Sequence, residues 1–173
     1  MNSLKDMILS AMFIAIGIVL PFFIGQIPII GQIFLPMHYP ILLCGIVCGW
    51  KYGLVVGFVT PLLRSVLFGF PVMFPNGIAM AFELATYGFV IGYIYHSFKT
   101  TDLLKLYISL IIAMICGRIV WGIVEFIIVQ GFTIKMFMAG ALINALPGIA
   151  IQLVLIPAIV VVLDKLHIVQ FKR

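Results

Sequence analysis

The sequence predicts an all-α integral membrane protein, a compact bundle of six transmembrane helices with both termini in the cytoplasm. Three observations lead there. Hydrophobic residues make up 65% of the chain and charged residues only 9%, with a mean hydropathy of +1.33, well outside the range of soluble domains. The apolar residues fall into runs that suit a bilayer core of roughly 30 Å. Lysines and arginines outside those runs gather almost wholly on one side of the alternating connections. No soluble segment, linker or low-complexity tract interrupts the pattern, so residues 1–173 read as a single membrane domain. The net charge of +5 would point to nucleic acid in a soluble protein, but here it reads as topology, and no nucleic-acid partner is expected.

The first span, 4–24, carries Lys5 near its start and lacks a small-residue cleavage site, which favours a retained helix over a signal peptide. The second, 37–50, is short. A tight interfacial turn is expected at Trp50-Lys51-Tyr52-Gly53, where aromatics flank a lysine and the glycine frees the backbone. The third to sixth spans run over 52–70, 77–98, 104–130 and 136–166. With the N-terminus inside, Lys5, Lys51, Lys99, Lys105, Lys165, Lys172 and Arg173 are cytoplasmic and Lys135 alone faces out. The connections near 25–35, 71–76 and 131–135 are then external. Small residues four apart (Ala11 and Ala15, Gly45 and Gly49, Gly53 and Gly57, Gly88 and Gly92) make ridges that let helices approach closely in lipid. Cys44, Cys48 and Cys116 lie in apolar runs and read as packing residues, with no metal site or disulfide expected.

Four charges lie inside spans: Arg64, Glu83, Arg118 and Glu125. Each costs about 2.5–3.5 kcal/mol near the bilayer centre, so the group demands pairing, water or a ligand. Arg64, Glu83, Glu125 and Asn144 fall toward the outer ends of their spans and Arg118 nearer the middle, which describes a pocket open outward and closed below. Arg118, Trp121 and Glu125, with Gly122 beside them, share a helix face at spacings of three, four and seven. The competing reading is structural: Arg118 and Glu125 pair with Glu83 and Arg64 and staple helices together. The uncharged external stretches at 25–32 and 70–76, punctuated by glycine and proline, suit a lid more than a solvated connector. His38 falls one turn under the first of them, where its imidazole could meet a ligand or cap the helix. Tyr87 and Asn76 stand as further site residues beside an alternative of interhelical hydrogen bonding, the reading preferred for Gln152.

Several stretches together carry a family resemblance. The AMFIA run from Ala11 to Ala15, the LPMHYP run from Leu35 to Pro40, the glycines from Gly45 to Gly57 and the MAFELATYG run from Met80 to Gly88, on short spans in under 200 residues, resemble the substrate-binding S component of an energy-coupling factor (ECF) transporter. The resemblance implies capture of a vitamin or similar micronutrient from outside under the first external loop. It also implies docking through Ala11 and Ala15 on a transmembrane coupling subunit that works with two ATPases, in a prokaryotic plasma membrane. No cofactor is implied. No phosphate-binding loop occurs, so ATP is hydrolysed elsewhere. The proline-histidine segment and the FELA run are most like pantothenate-type members, and a carboxylate would suit Arg64 or Arg118. Riboflavin, pyridoxine-like, biotin, queuosine-precursor and haem ligands stay open. A stand-alone proton-coupled secondary transporter using Glu83 or Glu125 is the rival class, although no inverted repeat is evident. A membrane enzyme is disfavoured because no nucleophile-base pair or metal-binding spacing is present.

Overall fold

The computed structural model describes residues 3–24, 35–98, 102–140 and 145–166. The expected lid at 25–35, except Leu35, and the residues Asn144, Lys99, Lys172 and Arg173 lie outside the described residues. The elements are α1 (Ser3–Ile24), α2 (His38–Cys48), α3 (Trp50–Phe68), a π-helical turn (Met73–Gly77), α4 (Ile78–Ser97), α5 (Leu103–Ile128), α6 (Ile134–Met138) and α7 (Leu146–Lys165). Among the described residues there is no strand. Five helices, formed by α1, α3, the turn with α4, α5 and α7, are long and apolar enough to cross a membrane.

The second expected span is an 11-residue helix, α2, about 16 Å long at 1.5 Å per residue and so short of a bilayer core. Its surroundings explain why it can be short. Nine of its residues are buried, among them Ile41, Leu42, Cys44 and Ile46, so it is apolar on every side and enclosed by protein. It packs against α1, α3, α4 and α7. At the centre of the bundle α4 packs most extensively on α3 and α5, and next on α2.

Two expectations are corrected. The α2–α3 turn is not at Trp50-Lys51-Tyr52-Gly53: it is a single residue, Gly49, at φ 89°, and Trp50 and Lys51 already belong to α3. Only glycine takes that backbone conformation without a Cβ penalty, and its N–H returns to the Gly45 carbonyl at 3.1 Å. The last long helix starts at Leu146 rather than 136. Thr133 starts the separate short helix α6 by accepting from the Met136 N–H at 3.4 Å, and Pro147, in the first turn of α7, fits a helix start.

Gly53 instead serves close packing. A Cβ on Gly53 would strike the Gly88 carbonyl, one on Gly57 the Leu84 carbonyl, and one on Gly45 both Gly88 and Ile91. Helices α2, α3 and α4 therefore touch backbone to backbone, the arrangement that packing forces alone favour where lipid supplies no hydrophobic drive. This contact aims the N-terminal half of α4, and Glu83 with it, at the start of α2. Gly57→Val should lower stability in detergent by about 2 kcal/mol, because the neighbour to be displaced is main chain; an unchanged thermal melting curve would show that the seam is not this tight.

Candidate functional site

Glu83 sits one turn and a half into α4 and keeps only 2% of its surface exposed. Two cationic or potentially cationic groups converge on its Oε1 atom: Arg118 Nη1 of α5 at 3.1 Å and His38 Nε2 of α2 at 3.7 Å. Neither contact is an aligned hydrogen bond, and Oε1 has no directed donor among the described residues. Tyr87, four residues on and hence on the same face of α4, places its phenol within reach of both Glu83 and Arg118. Its ring lies 5.4 Å from that of His38, tilted by 56°. Gly117 makes this approach possible, since a Cβ there would overlap the Tyr87 ring. His38 opens α2, its backbone N–H bonded to the Leu35 carbonyl at 3.0 Å, and is 1% exposed.

The cluster is short of partners. Arg118 Nε and Nη2 and both ring nitrogens of His38 are buried without a hydrogen bond, and so is Gln152 Nε2 on α7. The Tyr39 hydroxyl and Glu125 Oε1 are in the same position. An unsatisfied buried polar group costs about 1–3 kcal/mol, so a set of them in one protein interior is a standing demand for a polar partner. Most of the unmet atoms are donors, which fits an acceptor-rich partner.

The structure brings together His38, Glu83, Tyr87 and Arg118, whereas Arg64, Asn76 and Trp121 have other surroundings. Arg64, 5% exposed, donates from Nη1 to the Phe70 carbonyl at 2.6 Å and from Nε to the Ile18 carbonyl at 3.3 Å. Its guanidinium also stacks between Phe22 at 5.3 Å and Phe70 at 5.8 Å. Arg64 thus ties α1, α3 and the chain after α3 together, with Ser65 adding a bond to the Pro71 carbonyl at 2.6 Å. Asn76 is exposed in the π-helical turn. Trp121 is covered by the α6 region, stacked on Phe137 and edge-on to Phe132. Glu125 is 4% exposed, and its Oε1 meets no donor. The structural alternative is therefore half present: Arg118 does pair with Glu83, while Arg64 spends its donors on carbonyls.

A separate groove of about 380 Å³ runs between α5 and α6, lined by Ile119, Ile123, Phe126, Ile127, Phe132 and Phe137 among others. Its walls are apolar, Ile123, Phe126 and Ile127 are outwardly exposed, and none of the polar cluster takes part. It has the character of a lipid-facing crease.

A family model of the ECF transporter substrate-specific component matches residues 5–160. The chain belongs to that family. No curated protein matches it, and neither does any solved structure. Components of this family are subunits of transporters rather than enzymes, which accords with a site built of one ion pair, an imidazole and a phenol. They are membrane proteins, as the apolar helices of this one require. In this S component, Gln152 is a buried polar group that the sequence reading did not assign to a site. A glutamine in an otherwise apolar helix was the available signal, but its depth favoured an interhelical bond, and Nε2 makes none.

Replacing Arg64 by methionine should lower the melting temperature in detergent, with about 1–3 kcal/mol lost, because two carbonyls forfeit a charged donor. Any small molecule that co-purifies should be retained by this variant; its loss would move Arg64 into the binding site.

Proposed function

We propose that this S component captures a vitamin-type micronutrient at the external face and delivers it inward together with the coupling subunit and two ATPases of an ECF module. The observation that carries this reading is the cluster of His38, Glu83, Tyr87 and Arg118, which is buried, ionic and under-partnered at the end of the bundle where α2 and α4 begin. An S component needs a closed floor and a polar chamber near the outer surface, and these residues supply the chamber. The topology that supports it has both termini in the cytoplasm, because Lys5, Lys51, Lys99, Lys105, Lys165, Lys172 and Arg173 then lie inside.

The finer proposal concerns the ligand. Arg118 gives Nη1 to Glu83 and leaves Nε and Nη2, the two donors along one edge of the guanidinium, without partners. That edge matches the spacing of two carboxylate oxygens. A monocarboxylate is the ligand class that fits, and pantothenate, to whose transporters the His38 and Glu83 segments are most similar, is the specific assignment. Glu125 and Gln152, each with a buried polar atom that has no partner, are the proposed secondary wall residues.

Ala11 and Ala15 are exposed on α1 amid Met7, Ile8, Met12, Ile16 and Val19. This smooth strip is the proposed contact with the coupling subunit, where small side chains permit helices to meet closely.

Native mass spectrometry of the purified protein tests the assignment: a bound monocarboxylate is the expected finding. Arg118→Ala should weaken its binding at least tenfold, about 1.4 kcal/mol, and unchanged affinity would take Arg118 out of the site. Ala11→Trp and Ala15→Trp should leave binding intact and abolish uptake in cells that express the whole module. Substrate uptake by the lone chain in liposomes, with no ATPase present, would replace the importer reading by that of a secondary transporter.

A further inference from the structure

The cluster contains an imbalance that the proposed ligand would expose. Arg118 and Glu83 neutralise each other as an ion pair. A carboxylate seated on the free edge of Arg118 adds a second negative charge to a chamber in which Glu83 is only 2% exposed. An uncompensated charge so buried is strongly disfavoured, and the group nearest to hand changes its protonation instead. His38 Nε2 stands 3.7 Å from Glu83 Oε1, at the same carboxylate oxygen that Arg118 contacts.

We propose that His38 is the specificity-determining residue that admits an anion: a carboxylate ligand binds together with one proton, taken from solvent onto the His38 imidazole. The inference rests on the reading of this cluster as the ligand site. With the proton in place two cations, Arg118 and His38, face two carboxylates, Glu83 and the ligand, and the buried charge sums to zero. Protonated His38 has two N–H donors. Nε2–H faces Glu83 Oε1 across 3.7 Å, close enough to tighten onto it once charged, and Nδ1–H, which has no protein partner, gains an acceptor in the ligand carboxylate. A neutral ligand brings no such acceptor charge and draws no proton.

The groups around His38 leave it as the candidate proton acceptor. From α4 it faces Glu83 and the Tyr87 phenol, and from α5 it meets Arg118 through Glu83. Its own helix adds the buried Tyr39. The ionisable residues of α1 and α3 are Lys5, Asp6, Lys51 and Tyr52, which start their helices at the end opposite His38, and Arg64, which is held by the Ile18 and Phe70 carbonyls. Helix α7 carries Asp164 and Lys165 at its far end, and its buried polar side chain, Gln152, is uncharged.

The test is calorimetric titration of the purified full chain in phosphate and in Tris at about pH 8, with pantothenate, biotin and nicotinate as monocarboxylate probes and pantothenol and nicotinamide as their neutral counterparts. The expected result is uptake of close to one proton per bound carboxylate and about tenfold tighter binding for each pH unit lowered from there. In His38→Gln the uptake should vanish and the affinity fall. In Glu83→Gln the Arg118 charge balances the ligand alone, so the uptake should vanish as well, whichever group holds the proton; His38→Asn carries the test of the imidazole if His38→Gln does not fold. Carboxylate binding without proton uptake, uptake that persists in His38→Gln, or a neutral counterpart that binds as tightly as its acid would each overturn the inference while leaving the importer reading in place. Failure of all three acids to bind overturns it too, and the importer reading is then judged separately by module-dependent uptake and by the co-purifying molecule.

Discussion

The ion pair between Glu83 and Arg118 is the contact on which the rest of this structure turns. A carboxylate at 2% exposure inside an apolar bundle needs a cation against it, so this 3.1 Å contact fixes the register of α5 on α4 that their extensive packing permits. Gly117, beside Arg118, removes the obstacle that a side chain would present to Tyr87, and the same turn of α5 thereby delivers a guanidinium and makes room for a phenol. The pair is incomplete, however. A bundle meant only to be held together would use the remaining Arg118 donors on carbonyls, as Arg64 does.

The contrast between the two arginines separates structure from recognition. Both are buried in spans and both would be expensive if left bare. Arg64 leaves no buried donor unmet, with two carbonyls and two aromatic faces around it, and the main chain it binds comes from α1 and from the segment after α3. Arg118 keeps two donors idle beside an imidazole whose nitrogens are idle too. From sequence the two residues look equivalent: each is a lone arginine in an apolar run. What distinguishes them is the identity of the atoms facing them across helices, which no spacing rule encodes.

Much of the architecture was legible because the bilayer imposes a simple rule of length and polarity. The long spans came directly from their apolar runs, and the small-residue spacing at Gly53, Gly57 and Gly88 announced a close seam. Boundaries governed by local backbone chemistry were less legible. The turn at Gly49 was displaced onto Trp50-Lys51 because interfacial residues drew attention from the one glycine with positive φ, and the start at Leu146 was missed because the apolar pattern runs unbroken through α6. Of the expected site, His38, Glu83, Tyr87 and Arg118 do converge, while Asn76 and Trp121 are occupied elsewhere or exposed. Charge inside a span was a good guide to burial and a poor one to partner.

The glycine seam of α2, α3 and α4 has one more implication. Because these three helices meet through main chain at Gly45, Gly53, Gly57 and Gly88, with buried side chains packed on either side, they form a plate with little freedom to deform. Glu83 and His38 ride on that plate, whereas Arg118 and Gln152 ride on α5 and α7 outside it. Any rearrangement that parted Arg118 from Glu83 would therefore shift α5 against a stiff anvil that keeps His38 and Glu83 in register.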